Sequence, residues 1–186
     1  MMNRTIEEFN HAIAECKEVF ATKMKDYGTA WRILRTPSLT DQIYIKANRI
    51  RSIEQKGTQK ISEGIKPEFI GIVNYSVMAL IQQEMGAEGD LELTEEEANE
   101  LYDRHISTAS DLMLNKNHDY DEAWRNMRIS SLTDIILMKV IRIKQIEDKA
   151  GVTLVSEGVD ANYRDIINYA LFALIKLDAA KTNTEI

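Results

Sequence analysis

The chain has 186 residues, 44% of them hydrophobic, and a formal net charge of −7. That length suffices for one substantial core or for two closely packed halves. The acidic balance, with no basic stripe, argues against broad phosphate-backbone binding to nucleic acid. Eight Gly and two Pro leave few breaks between long helices, and the lone Cys16 excludes an intrachain disulfide.

A first helix is predicted after Thr5, which has Glu8 three residues on, as in a capping box. Its apolar positions, Ile6, Phe9, Ile13, Cys16, Phe20 and Met24, recur at three-to-four spacing. Cys16 reads there as a small buried hydrophobe. Asp26-Tyr27-Gly28 and the stretch through Pro37 interrupt the pattern. A second helix follows a Ser38 or Thr40 cap, carries Leu39, Ile43, Ala47, Ile50 and Ile53, and ends near Lys56. Residues 57–66 read as a polar connection. Pro67 suits the first turn of a third helix, which runs to about Met85 with Phe69, Val73, Val77, Leu80 and Ile81 inward.

An acidic link from Gly86 to Leu93 leads to Thr94 and Glu97, a second capping-box pattern. The fourth helix is expected to reach about Leu114, the fifth to span about Leu132 to Lys149, and the sixth about Ala161 to Ala179. Residues from Lys181 onward are expected to fray. The first residues carry no apolar run able to export or anchor the chain. A cytoplasmic protein with no membrane partner is the expectation.

The second three helices repeat the first three. Asp26-Tyr27-Gly28-Thr29-Ala30-Trp31-Arg32 returns 93 residues later as Asp119-Tyr120-Asp121-Glu122-Ala123-Trp124-Arg125. Ser38-Leu39-Thr40-Asp41 returns as Ser131-Leu132-Thr133-Asp134, and Lys46, Arg49 and Glu54 return as Lys139, Arg142 and Glu147. After one inserted residue, Ser62-Glu63-Gly64 matches Ser156-Glu157-Gly158, and Asn74-Tyr75 matches Asn168-Tyr169. Such self-similarity marks two copies of one supersecondary unit. The expected fold is all-α: residues 1–186 as one compact domain, with a first repeat over 5–85 and a second over 94–180. Each copy exposes a wide apolar face, and pairing the copies about an approximate two-fold axis buries both. Homo-oligomerisation through a remaining apolar patch stays open.

Candidate site residues gather in the second copy. The Asp-Tyr…Ala-Trp block reads either as a helix-end turn or as a pocket mouth. In the latter, Asp119 is a carboxylate and Tyr120 or Trp124 contacts a base. The change from Gly28-Thr29 to Asp121-Glu122 makes that turn more acidic, which favours the second copy for a divalent cation. Lys139 and Arg142 lie three apart on one helical face, as a phosphate clamp or as a structural ion pair. Asp165, followed by Asn168, has Gly71 at its first-copy position. Glu147 and Glu157 join Asp165 if the helix ends converge. Oxygen ligands of this kind suit Mg²⁺, or Mn²⁺, rather than zinc. The bland alternative is Asp165 paired with Lys139 or Arg142 in a buried network. No Walker loop, Rossmann glycine pattern or serine elbow is present.

On these blocks, and on Tyr163-Arg164-Asp165-Ile166-Ile167-Asn168-Tyr169-Ala170, the chain resembles the nucleotide modification associated domain 1 family. That family is similar to all-α, MazG-like nucleoside triphosphate pyrophosphohydrolases. The resemblance implies a MazG-like helical bundle that handles small-molecule nucleotides, and a Mg²⁺-dependent hydrolase releasing pyrophosphate. In that reading Asp165, Glu147 and Asp119 hold metal or orient water, and Lys139 and Arg142 offset phosphate charge. MazG-like enzymes place a Glu-x-x-Asp pair on the later helix. Here Asp165 fits the aspartate, but Asn162 stands where the glutamate would be. A non-catalytic nucleotide sensor and a purely structural interaction bundle are the alternatives.

Overall fold

A computed structural model describes residues 2–57, 64–89, 91–150 and 158–182. Six α-helices account for nearly all of them: α1 (Met2–Tyr27), α2 (Thr36–Lys56), α3 (Lys66–Met85), α4 (Glu95–Tyr120), α5 (Ile129–Asp148) and α6 (Val159–Thr182). Short 3-10 turns at Ala30–Ile33 and Ala123–Asn126 follow α1 and α4. No described helix is long and apolar enough to cross a membrane.

The apolar pattern decides which helices sit centrally. α3 buries Phe69, Ile72, Val73, Val77, Leu80 and Ile81, and α6 buries an unbroken run from Ala170 to Ile175. Apolar positions wrap both helices, so each needs neighbours on several sides. They obtain them: α3 packs on α6 and α2, α5 packs on α6, and α2 packs on α5. The amphipathic α1 and α4 lie outside this four-helix centre, each against α3, α6 and the other. Cys16 is fully buried in α1, and burial pushes its thiol up to about 12.

Reciprocal contacts tie the halves together. Thr40 donates to Glu147 at 2.8 Å, and Thr133 donates to Glu54 at 2.9 Å. These partners are 93-residue equivalents exchanged across the seam, so the start of α2 meets the end of α5 and the reverse. Lys144 pairs with Asp41, and Arg51 with Asp134 at 3.8 Å, in the same exchanged sense. Within each half, Asn74 donates to the Cys16 carbonyl at 3.0 Å and Asn168 to the Ala109 carbonyl at 2.9 Å. The internal repeat in sequence is therefore an internal repeat of helices.

Several helix ends differ from the pattern-based expectation. Thr5 is not a cap: α1 starts at Met2, and Thr5 is fully buried, with its hydroxyl bonded to Glu122 and Arg125. Neither Ser38 nor Thr40 caps α2. Arg35 has the extended N-cap conformation, and Pro37 fills the first turn, where its missing N–H costs nothing. Thr40 is freed to face Glu147. Arg128 takes the same place ahead of α5. At Thr94 the capping box forms, with Glu97 N–H donating to Thr94 Oγ1 at 3.2 Å and Thr94 N–H to Glu97 Oε2 at 2.8 Å.

Candidate functional site

Each half carries a pocket where the end of its outer helix, the 3-10 turn and its central helix meet. The first has a volume of about 470 Å³ and the second about 330 Å³. They are built from equivalent residues: Lys23, Trp31, Asn74 and Tyr75 in one, and Lys116, Trp124, Asn168 and Tyr169 in the other. The local chain explains the placement. Gly28 takes a left-handed conformation at φ 57°, ends α1 and turns Trp31 back under it. In the second half Asp121 and Glu122 both adopt positive φ, at 52° and 57°, where glycine is absent.

The 3-10 turns are latched to the central helices. Gln82 donates to the Arg32 and Leu34 carbonyls at 2.8 and 2.6 Å, and Lys176, its equivalent, donates to the Arg125 carbonyl at 2.6 Å. Arg32 itself is 1% exposed, bonded to Gln82 and to the Gly86 carbonyl. Its counterpart Arg125 instead reaches out to Glu8 at 2.8 Å and Glu122 at 2.6 Å, and lies 4.5 Å over the Trp124 ring. Burial works against the charge on Glu122, but hydrogen bonds from Thr5 and Arg125 outweigh it and hold its carboxyl below the usual range. The acidity of this turn thus has an internal cation to answer it.

The carboxylates differ between halves in a way that column-by-column comparison conceals. In the second pocket Asp165 accepts from Lys139 at 2.8 Å and from Lys116 at 2.6 Å. In the first half the equivalent position is Gly71, and the carboxylate comes one turn earlier. Glu68 binds Arg49 at 2.5 Å and Lys46 at 3.4 Å. Asn162, equivalent to Glu68, donates to the Gly158 carbonyl just ahead of its own helix. Each half therefore has one carboxylate here, at repeat positions three residues apart: Glu68 with Gly71 in the first, Asn162 with Asp165 in the second.

Of the residues singled out by sequence, Trp124, Asp165 and Asn168 line the second pocket, and Lys139 is joined to it through Asp165. Arg142, one turn along α5, is half-buried and does not share that ion pair. Glu147 lies in a separate network with Thr40 at 2.8 Å and Tyr163 at 3.4 Å, and burial raises its carboxyl. The side chains of Asp119 and Tyr120, and the whole of Glu157, lie outside the described residues. As a donor set for Mg²⁺, the described groups do not converge: both oxygens of Asp165 hold lysines, and Glu147 shares no partner with it. Sequence pattern does not pick out Lys23, Lys116 or Glu68. The two lysines nonetheless keep the repeat offset three residues ahead of the Asp-Tyr blocks.

A different cluster could coordinate a metal ion. His11 and Glu15, one turn apart on α1, and Asp178 of α6 bring ligand atoms within 4.8 Å of one another. Lys66 donates to Glu15 at 2.8 Å and to Asp178 at 2.6 Å, so an incoming cation competes with its ammonium group.

A family model described as Nucleotide modification associated domain 1 matches the chain twice, over residues 23–83 and 116–177. The two matched segments cover more than half of the chain and begin at Lys23 and at Lys116. No curated protein and no solved structure gives a significant match.

Proposed function

This chain belongs to the nucleotide modification associated domain 1 family, and from that premise we propose that it binds a nucleotide in its lysine- and tryptophan-bearing pockets. One observation carries the reading. The lysine, tryptophan, asparagine and tyrosine that recur in both pockets all fall inside the two matched segments. The chemistry suits a phosphorylated nucleoside. Indole and phenol faces stack on a base, and a lysine on a flexible stem follows a phosphate as a mobile point charge. The indole N–H groups of Trp31 and Trp124 are buried without a hydrogen-bond partner among the described residues.

Binding rather than Mg²⁺-dependent hydrolysis is the better-supported reading, because Asp165 and Glu68 each hold two cationic side chains. A carboxylate so engaged has little to offer a metal. The test is equilibrium binding of the four deoxynucleoside triphosphates and their monophosphates, in EDTA and again with Mg²⁺, with released pyrophosphate measured in parallel. Saturable binding in EDTA without turnover is expected. Binding of none of them ends the nucleotide reading. Multiple-turnover release of pyrophosphate with Mg²⁺ replaces it by the hydrolase, with Asp165, Glu147 and Asp119 as the first ligands to substitute.

A further inference from the structure

The two pockets are equivalent by descent of sequence but not by charge or by aromatic packing. In the second, Asp165 stands at the position of Gly71 and draws Lys116 and Lys139 onto its two oxygens at 2.6 and 2.8 Å. In the first, that carboxylate is missing. Lys23 has no ion pair among the described residues, and Lys46 extends across the space over Gly71. Its nearest carboxylate, Glu68, lies at 3.4 Å and is already held by Arg49 at 2.5 Å. Among the described residues, no acidic side chain lines the first pocket.

The aromatic side of each pocket follows the same division. Trp124 is 5% exposed and stacks on Phe172 at 4.3 Å with the rings 7° apart, while Arg125 lies against it at 4.5 Å. Both hydrocarbon and cationic partners are supplied from within. Met78 replaces Phe172 in the first pocket, and Arg32 is turned away to Gln82. Trp31 is only half-buried and meets Phe20 tilted at 57°, with centroids 6.3 Å apart. Its face is not stacked.

We infer that in the second pocket the lysines are already neutralised by the protein's own Asp165 carboxylate, which stands where a ligand's anionic group would sit, and that the first pocket, through Lys23, Lys46 and Trp31, takes the ligand. Lysines at a shared site are satisfied either by a fixed carboxylate or by a phosphate that arrives with the ligand. In the second pocket Asp165 holds both lysines, whereas in the first Lys46 has only the long contact to Glu68 and Lys23 is exposed, so both can turn to an arriving phosphate. The expected stoichiometry is one ligand per chain. The nucleotide reading enters only as the identity of the anion, since the division between pockets holds for any oligophosphate.

Trp31 and Trp124 are the two tryptophans of the chain, so each pocket has its own fluorescent reporter. Trp124→Phe isolates the first pocket and Trp31→Phe the second. Each is titrated with inorganic pyrophosphate and with the deoxynucleoside triphosphates, in otherwise unchanged protein and with Asp165→Asn or Asp165→Gly added. Pyrophosphate and nucleotide should shift Trp31 emission and leave Trp124 unmoved. Lys46→Ala and Lys23→Ala should each weaken pyrophosphate at Trp31 about tenfold, the loss of one charge-assisted hydrogen bond. With Asp165 replaced, Trp124 should begin to respond to pyrophosphate, and calorimetry should count a second site. The Asn variant keeps the side-chain shape if the Gly variant folds poorly. A Trp124 response equal to that of Trp31 before Asp165 is touched overturns the inference and leaves nucleotide binding intact. A Trp31 response to pyrophosphate but to no nucleotide sinks the nucleotide reading alone. Silence of Trp31 toward every probe overturns the inference, and silence of both tryptophans toward every nucleotide overturns the nucleotide reading as well.

Discussion

Gly71 sits inside α3, where glycine is a poor helix former, and replacing it by alanine separates stability from binding. A Cβ on Gly71 would lie 2.6 Å from Lys46 Cε and 2.7 Å from Lys46 Cδ, so the lysine stem has to move. The second half shows that it can, because Lys139 accommodates a whole carboxylate at the equivalent position. Alanine in a helix interior is worth about 0.8–1 kcal/mol over glycine. Against that stands the loosened Lys46–Glu68 contact, which is long and partly exposed and contributes about 0–1 kcal/mol. Gly71→Ala should therefore leave the unfolding free energy unchanged or raise it by up to about 1 kcal/mol. At a urea dependence of about 2 kcal/mol per molar, the midpoint moves upward by no more than about 0.5 M. The same variant should weaken pyrophosphate at Trp31 by about tenfold, since Lys46 no longer extends across the pocket. Circular dichroism in urea gives the first quantity, and Trp31 emission in the Trp124→Phe background gives the second. A loss of more than about 1 kcal/mol would mean that Lys46 is pinned and Gly71 serves packing. Gained stability with unchanged affinity would mean that Lys46 does not touch the anion.

Three further outcomes follow from the same contacts. Burial, chiefly, raises the carboxyls of Glu54 and Glu147 above their ordinary value, and the threonine hydroxyl bonds only partly offset it. A raised folded-state value means that their contribution is fully present below the unfolded value and is lost as pH rises through the folded one. Glu54→Gln and Glu147→Gln should thus gain on the unsubstituted protein between pH 4.5 and 7 in urea midpoints, and a widening deficit would refute the assignment. Cys16, fully buried with its thiol pushed up to about 12, should react with a chromogenic disulfide reagent only as fast as the chain opens, and fast stoichiometric labelling of folded protein would contradict this. Asn74 bonds both the Cys16 carbonyl and the Tyr102 hydroxyl, at 3.0 and 2.7 Å, whereas Asn168 bonds only the Ala109 carbonyl, with its Oδ1 unpartnered. Asn74→Ala should cost about 1 kcal/mol or more beyond Asn168→Ala in chemical denaturation, and equal costs would count against that difference.

Much of the architecture was legible because it is local and periodic. The apolar positions of α3 and the Thr94–Glu97 box stand where the spacing places them. The repeat forecast reciprocal helices, and Lys139 does meet Asp165. What stayed hidden depends on partners far along the chain. Thr5 has the local signature of a cap, yet its hydroxyl is claimed by Glu122, 117 residues away. Arg32 and Arg125 occupy matching positions in identical Ala-Trp-Arg triplets, but one is buried against Gln82 and the other lies over Trp124. The residue facing each from the last helix of its half, Gln82 or Lys176, separates them, together with Glu8 and Glu122, which draw Arg125 outward.

The carboxylates carry the same lesson into function. Aligning the halves by column sets Asp165 against Gly71 and makes the first half look incomplete. In space the anion has been moved one helical turn, from the Asp165 position to Glu68, and a three-residue shift on a helix keeps a side chain on nearly the same face. Glu68 thus holds Arg49 closely and Lys46 only at 3.4 Å, while the pocket beside Gly71 carries no carboxylate among the described residues. A duplicated unit held together by reciprocal bonds such as Thr40–Glu147 and Thr133–Glu54 can change one pocket without unbalancing the other. On this view the half with glycine in its central helix is the one that kept room for a ligand, and in the other half Asp165 holds the lysines itself.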